Sequence, residues 1–161
     1  MNRFANLSLV ALCALTTTAT VLAQDGGPPT PQQEGERAVL TRQGLLKVLG
    51  FYMAPLGGMI KNKVPFDAAV ASKNATHIAQ LGGMIPDVFA FDTRKGAGIK
   101  TKAKEDIWTD QTGFNSKAED LVKSANALLE AAKSADQGAT LKAAAAVGKS
   151  CGACHDHYRN K

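Results

Sequence analysis

The feature that most limits what this chain can become is a set of four apolar stripes at helical spacing, with no strand-like alternation to compete with them. The first begins at Glu34 and carries Val39, Arg42, Leu46, Leu49, Met53, Leu56 and Ile60 at intervals of three and four residues, one face of a helix. Arg42 alone is out of character there, and Pro55, Gly57 and Gly58 should kink or fray the far end. A second helix is expected from Phe66-Asp67, with Val70, Asn74, His77 or Ile78, Leu81 and Met84 on one face and Gly82, Gly83 and Pro86 closing it. Residues Ile85 to Lys104 keep no period and read as a long connection. The third helix should start near Glu105 to Trp108 and is clearest over Phe114, Ala118, Leu121, Ala125, Leu128 and Ala132. The fourth runs from Asp136 or Thr140 to the end along Leu141, Ala144, Gly148, Cys151, His155 and Tyr158. The fold class expected is all-α, an antiparallel four-helix bundle with its longest connection between the second and third helices.

Composition agrees with one globular domain: 161 residues, 45% hydrophobic and 20% charged. Nineteen Lys and Arg against fourteen Asp and Glu give +5, too small and too scattered an excess for a nucleic-acid groove. Residues 1–23 carry Arg3 followed by an uncharged apolar run ending at Val21-Leu22-Ala23, the pattern of a secretory signal peptide cleaved after Ala23. An uncleaved anchor is the competing reading, since the run is nearly long enough to span a membrane, but its threonines and small-residue end favour removal. Residues 24–33 hold three prolines, two glycines and no large apolar side chain, and read as a flexible leader. The bundle domain is then 34–161, and no membrane segment follows the signal. Cys13 leaves with the signal, so the exported chain keeps only Cys151 and Cys154. Lipid attachment at Cys13 fits less well, because Leu12 is a poor neighbour for that processing.

The fourth stripe is thin. Ala144 and Gly148 stand where a bundle ordinarily places leucine, so helix packing alone would leave a void. The residues that follow, Cys151-Gly152-Ala153-Cys154-His155, form C-x-x-C-H, the attachment signature of a c-type haem. On a helix, thiols three residues apart lie on one side and can add to the two vinyl groups of one macrocycle, while the next residue presents imidazole to the iron. Cys151 and Cys154 are thus the thioether residues and His155 the axial iron ligand, with Gly152 and Ala153 keeping the turn slim. Zinc fits less well: Cys151, Cys154, His155 and His157 crowd one helix end, and no second cluster completes a tetrahedron. A redox dithiol remains conceivable in an oxidising compartment, but such pairs usually open a helix, where the dipole lowers a thiol pKa, and this pair closes one.

An exported four-helix chain with its C-x-x-C-H near the carboxyl end, extended as Cys-Gly-Ala-Cys-His-Asp-His-Tyr-Arg, resembles the class II cytochromes c, and more closely the cytochrome c prime family. The resemblance covers roughly Glu34 to Lys161, including Arg42-Gln43-Gly44-Leu45-Leu46, Pro65-Phe66-Asp67 and Ile107-Trp108. It implies a bacterial periplasmic protein with one covalent haem c, commonly a homodimer paired through its first two helices. Leu45, Phe51 and Val70 are the extra apolar side chains beside those stripes.

In the low-spin, c-556-type branch of that family the first helix supplies a methionine to the sixth iron position; here the corresponding residue is Leu46. The resemblance therefore implies a five-coordinate, high-spin iron, with Leu46 as the distal cap, Arg42 near a propionate and Arg159 on the proximal side. Arg159 also reads simply as a cation complementing the helix dipole. Met53, Met59 and Met84 are alternative thioether donors, although methionine at helical spacing is more often core filler. His77 and His157 read as helix residues rather than ligands, and Trp108, Phe51, Phe89, Phe91 and Phe114 as core or haem-packing aromatics. Two functions follow: binding nitric oxide or carbon monoxide at the open iron position, and electron transfer to a redox partner protein docked near surface lysines. An enzyme is disfavoured, since no general acid or base can be placed over the distal face.

Overall fold

The computed structural model describes residues 27–94 and 97–161. The signal segment 1–23, its cleavage point, Cys13 and the first residues of the leader lie outside the described residues. Among the described residues six helices follow in order: α1 Pro31–Ile60, α2 Ala68–Gly83, α3 Ile85–Phe89, α4 Asp106–Thr109, α5 Gln111–Lys133 and α6 Gln137–Tyr158. The four long ones, α1, α2, α5 and α6, form an antiparallel four-helix bundle, as expected. The only β feature among the described residues is an isolated bridge between Ala103 and Arg159. No described helix is long and apolar enough to cross a membrane.

Helix α1 begins at Pro31, three residues before the expected Glu34. Thr30 is the cause: its Oγ1 accepts from the Gln33 N–H, while its own N–H donates to Gln33 Oε1 at 2.8 Å, a reciprocal capping box ahead of Pro31. The helix then runs through Pro55 to Ile60. Pro55 lacks the N–H that would serve the Phe51 carbonyl, and Phe51 is 70% exposed, so water can serve it instead. Asp67, Asp110 and Asp136 cap α2, α5 and α6 by accepting from the N–H of Val70, Gly113 and Ala139.

The expected third helix divides at Asp110, whose backbone leaves the helical region, into the single turn α4 and the long α5. All six residues of the α5 stripe are buried as expected. The α2 stripe differs: Ala71, Asn74, Ala75, Ile78 and Gly82 are buried, while Val70 is half-buried and Met84 is exposed. Small side chains let α2 lie close against α5, and a Cβ on Gly82 would meet Val122 Cγ2 at 3.1 Å. In α6 the inward positions are Thr140, Ala144, Val147 and Tyr158, so Val147 replaces Gly148 on the seam, and Gly148 is exposed with open space before it.

The connection holds α3 and then a strap from Ala97 to Lys104. The strap starts against α1 at Gly35 and ends against the carboxyl end of α6, where Lys104 N–H donates to Tyr158 O at 3.0 Å and Asn160 N–H to Lys102 O at 2.8 Å.

Candidate haem site

The chemistry-bearing residues occupy the last two turns of α6. Both thiols are free, half-buried and packed against the hydrophobic core, whereas His155 is exposed. Burial pushes the Cys151 thiol up; it does the same to Cys154, with Cys151 adding to the rise and Lys117 opposing it. Thiols pushed up at a helix's carboxyl end are the opposite of the acidified, helix-opening thiol that a redox dithiol needs. The His155 imidazole is pushed down, first by partial burial of its ring and then by Arg159, with Asp156 opposing. Gly148 and Gly152, one turn apart, both face open space, so this part of α6 is slim on either side of Cys151. Two thiols on one side, an imidazole next to them and a slim helix face make a donor set that fits a haem.

Arg159 caps α6, its N–H donating to His155 O at 3.1 Å, and its charge acts on that imidazole from an exposed position. On α1 the stripe closes at Arg42, 3% exposed, and at Leu49, 7% exposed, but opens at Leu46, which is 39% exposed. Arg42 is engaged more deeply than the sequence indicated. Its Nε donates to Val88 O at 2.6 Å, Nη1 to Thr93 Oγ1 at 2.7 Å and Nη2 to Phe91 O, and the guanidinium lies 4.8 Å from the Phe89 ring centre and 5.3 Å from that of Trp108. Burial lowers its pKa, with Asp92 opposing. Three of the five N–H donors are thus committed to the stretch after α2.

Other candidates fall elsewhere. Met59 is buried in the core, Met53 is partly buried and Met84 is exposed. His77 stacks on Tyr52 with ring centres 4.5 Å apart, and His157 is exposed. Phe89 and Phe114 are core residues and Trp108 packs beside them, donating to Phe89 O at 3.0 Å; Phe51 and Phe91 are exposed rather than core. Leu45 packs into the core, while Leu40, Val48 and Phe51 form an outward apolar row on α1. Periodicity did not reveal the bond from Tyr158 Oη to Asp110 Oδ2, at 2.6 Å. Its available signal was Asp110-Gln111-Thr112-Gly113, a capping aspartate three residues before a glycine.

A four-helix bundle whose last helix ends in two thiols and an adjacent imidazole is the architecture of a four-helix c-type cytochrome. Residues 37–159 match the family model described as Cytochrome C'. A cytochrome c-554 from Cereibacter sphaeroides is 32% identical over 155 residues, covering 96% of this chain and 92% of that protein. The solved cytochrome c prime from Shewanella frigidimarina is 37% identical with a TM-score of 0.72, covering 80% of this chain and 98% of that one. A nitric oxide complex of a leucine-to-isoleucine variant of cytochrome c prime from Alcaligenes xylosoxidans has a TM-score of 0.67 at 28% identity, covering 79% and 97%. The chain belongs to the cytochrome c prime family, and it carries covalently bound haem c.

Proposed function

We propose that this is an exported, periplasmic haem protein, freed of residues 1–23, in which Cys151 and Cys154 hold the haem and His155 is the one protein ligand of a five-coordinate, high-spin iron. The haem supplies the redox couple and an open coordination position. The observation that carries the reading is Leu46: it is 39% exposed between the buried Arg42 and Leu49, one turn from each along the α1 stripe, and a branched aliphatic side chain there excludes water without offering a donor. The solved nitric oxide complex of a relative supports a small uncharged diatomic, nitric oxide or carbon monoxide, as the ligand. Arg42 offers its two uncommitted N–H donors to a propionate, and Arg159 sets the charge on the proximal side.

Electron transfer is compatible with the same site. Lys117, Asp120, Lys123 and Lys149 line a groove between α5 and α6 beside Ser124, Ser150 and Ala153; Lys117 lies 4.0 Å from Asp120, and the remaining excess of lysine leaves a net basic surface for an acidic redox partner close to Cys154. The reading includes no enzymatic step: Arg42, one turn before Leu46 on the stripe, gives three of its N–H donors to structural hydrogen bonds, and an always-charged guanidinium transfers no proton. The outward row Leu40, Val48 and Phe51 supports a homodimer through α1.

Optical spectra of the ferric and ferrous protein, with and without carbon monoxide, test the coordination. A high-spin ferrous spectrum that shifts on adding carbon monoxide is expected. A low-spin spectrum, indifferent to the gas and altered by replacing Met53 or Met59, would move the protein to the methionine-ligated, c-556-type electron carriers.

A further inference from the structure

We propose that Tyr158 and Asp110 are positioning residues for the axial imidazole, joining the last turn of α6 to the start of α5 so that His155 is held in place. The inference rests on the reading of His155 as the iron ligand. Tyr158 is 7% exposed, and its O–H donates to Asp110 Oδ2 at 2.6 Å. A buried phenol needs such a partner, and the charged acceptor makes the bond stronger than a neutral one. The other oxygen of the same carboxylate, Oδ1, accepts from Gly113 N–H at 3.0 Å, so one side chain both caps α5 and anchors α6. Gly113 is what makes room for both. A Cβ at that position would lie 2.2 Å from Asp110 Oδ2 and 2.7 Å from Tyr158 Oη, closer than real Cβ contacts allow. The Phe114 ring meets the Tyr158 ring edge-on at 5.2 Å.

The strap closes the same turn from the main-chain side, through Lys104 N–H to Tyr158 O, Asn160 N–H to Lys102 O and Lys104 Nζ to Asp156 O at 3.3 Å. Tyr158 follows Cys154 by four residues and His155 by three, so it shares a helix face with both. The last turn of a helix ordinarily frays because its carbonyls lack partners. Here that turn bears the ligand, and side-chain and main-chain bonds hold it from two directions.

The test uses the haem-loaded protein in four variants. Tyr158→Phe keeps the ring and loses the bond; Asp110→Ala loses both bonds; Asp110→Asn keeps the oxygen that accepts from Gly113 N–H and sets an amide NH2 group opposite Tyr158 Oη, so that contact survives only as a neutral bond donated to the phenol oxygen. Asp136→Ala removes the cap at the far end of α6 and serves as the control for general destabilisation. Hydrogen exchange of the Arg159 amide, which donates to His155 O, reads the brace in any spin state. It should accelerate roughly ten- to a hundredfold in Tyr158→Phe and Asp110→Ala, the factor expected for losing a hydrogen bond to a charged group. Asp110→Asn should fall between wild type and Asp110→Ala, since a neutral bond replaces the charged one, and Asp136→Ala should leave this amide unchanged.

The iron–histidine stretching band of the ferrous protein reads whether the brace reaches the imidazole: it should shift and broaden in Tyr158→Phe, and less so in Asp110→Asn. Unchanged exchange in Tyr158→Phe, faster exchange with an unmoved band, or an equal effect of Asp136→Ala would each overturn the proposal. If the wild-type protein shows no such band, five-coordination fails separately. The reduction potential then replaces the band as the second readout, and an unmoved potential in Tyr158→Phe overturns the proposal.

Discussion

Replacing Arg42 with alanine should destabilise the protein by about 2–4 kcal/mol. Arg42 gives three hydrogen bonds from a buried cation to Val88 O, Phe91 O and Thr93 Oγ1. Bonds to charged groups are worth about 1.5–3 kcal/mol each. Against them stands the cost of keeping a guanidinium at 3% exposure, several kcal/mol in its own right, which the substitution removes. Losing the stacked contacts with Phe89 and Trp108 adds about 0.5–2 kcal/mol each to the deficit. The Phe91 carbonyl belongs to an exposed residue and can turn to water, which trims the loss. Arg42→Lys keeps the charge but cannot span three diverging acceptors, and should fall between alanine and wild type. The assay is denaturant unfolding of the haem-loaded protein followed by far-ultraviolet circular dichroism. The decisive comparison is the cycle with Thr93→Val, for which a coupling of about 1 kcal/mol is expected from the shared bond. Full additivity, or a loss in Arg42→Ala below about 0.5 kcal/mol, the range of an ordinary surface change, would refute the reasoning and leave the propionate as this residue's main partner.

Leu46→Met should convert the ferrous spectrum towards a six-coordinate, low-spin form, and Leu46→Ala should speed carbon monoxide binding. Because Leu46 is 39% exposed, the alanine variant should lose only about 1–2 kcal/mol, below the roughly 2–5 kcal/mol of a buried leucine; unfolding curves check this alongside gas-mixing kinetics. The Tyr158–Asp110 bond should fail at both ends of the pH range. The Tyr158 O–H and the Gly113 N–H hold the Asp110 carboxyl below its ordinary value of 3.8, so its stabilising share is complete above that value and disappears as pH falls through the folded pKa. Tyr158 is pushed up to about 12, chiefly by burial and then by Asp110, so its share is complete below 10 and is lost as pH rises from 10 to about 12. Unfolding measured across pH should show the acid limb shallower in Asp110→Asn and the alkaline limb shallower in Tyr158→Phe. Phe51→Asp, on the outward row of α1, should lower the sedimentation coefficient to that of a monomer without altering the haem spectrum; an unchanged assembly would place any dimer contact elsewhere.

Much of this protein can be read along the chain because the controlling chemistry is local. The 3.6-residue period names the helices, Asp67, Asp110 and Asp136 supply caps within three residues of their partners, and C-x-x-C-H needs only a helix to bring its thiols and imidazole together. Thr30 and Gln33 formed an equally local capping box inside a stretch whose prolines suggested only a leader.

What the tertiary structure alone decided is which half of each stripe faces inward and what distant groups meet. A stripe about three residues wide can rotate by one position, and helix separation sets the choice. Alanine and Gly82 on α2 admit close contact with α5, so Ala71 and Ala75 are buried while Val70 is only half-buried. On α6 the same rotation favoured Val147 over Gly148. Arg42 lies 51 residues from Thr93, and Tyr158 lies 48 residues from Asp110. No periodicity links such pairs. A buried guanidinium and a buried phenol must each find acceptors wherever the packing of the bundle brings them, because an unpartnered polar group out of water costs more than any local preference can return.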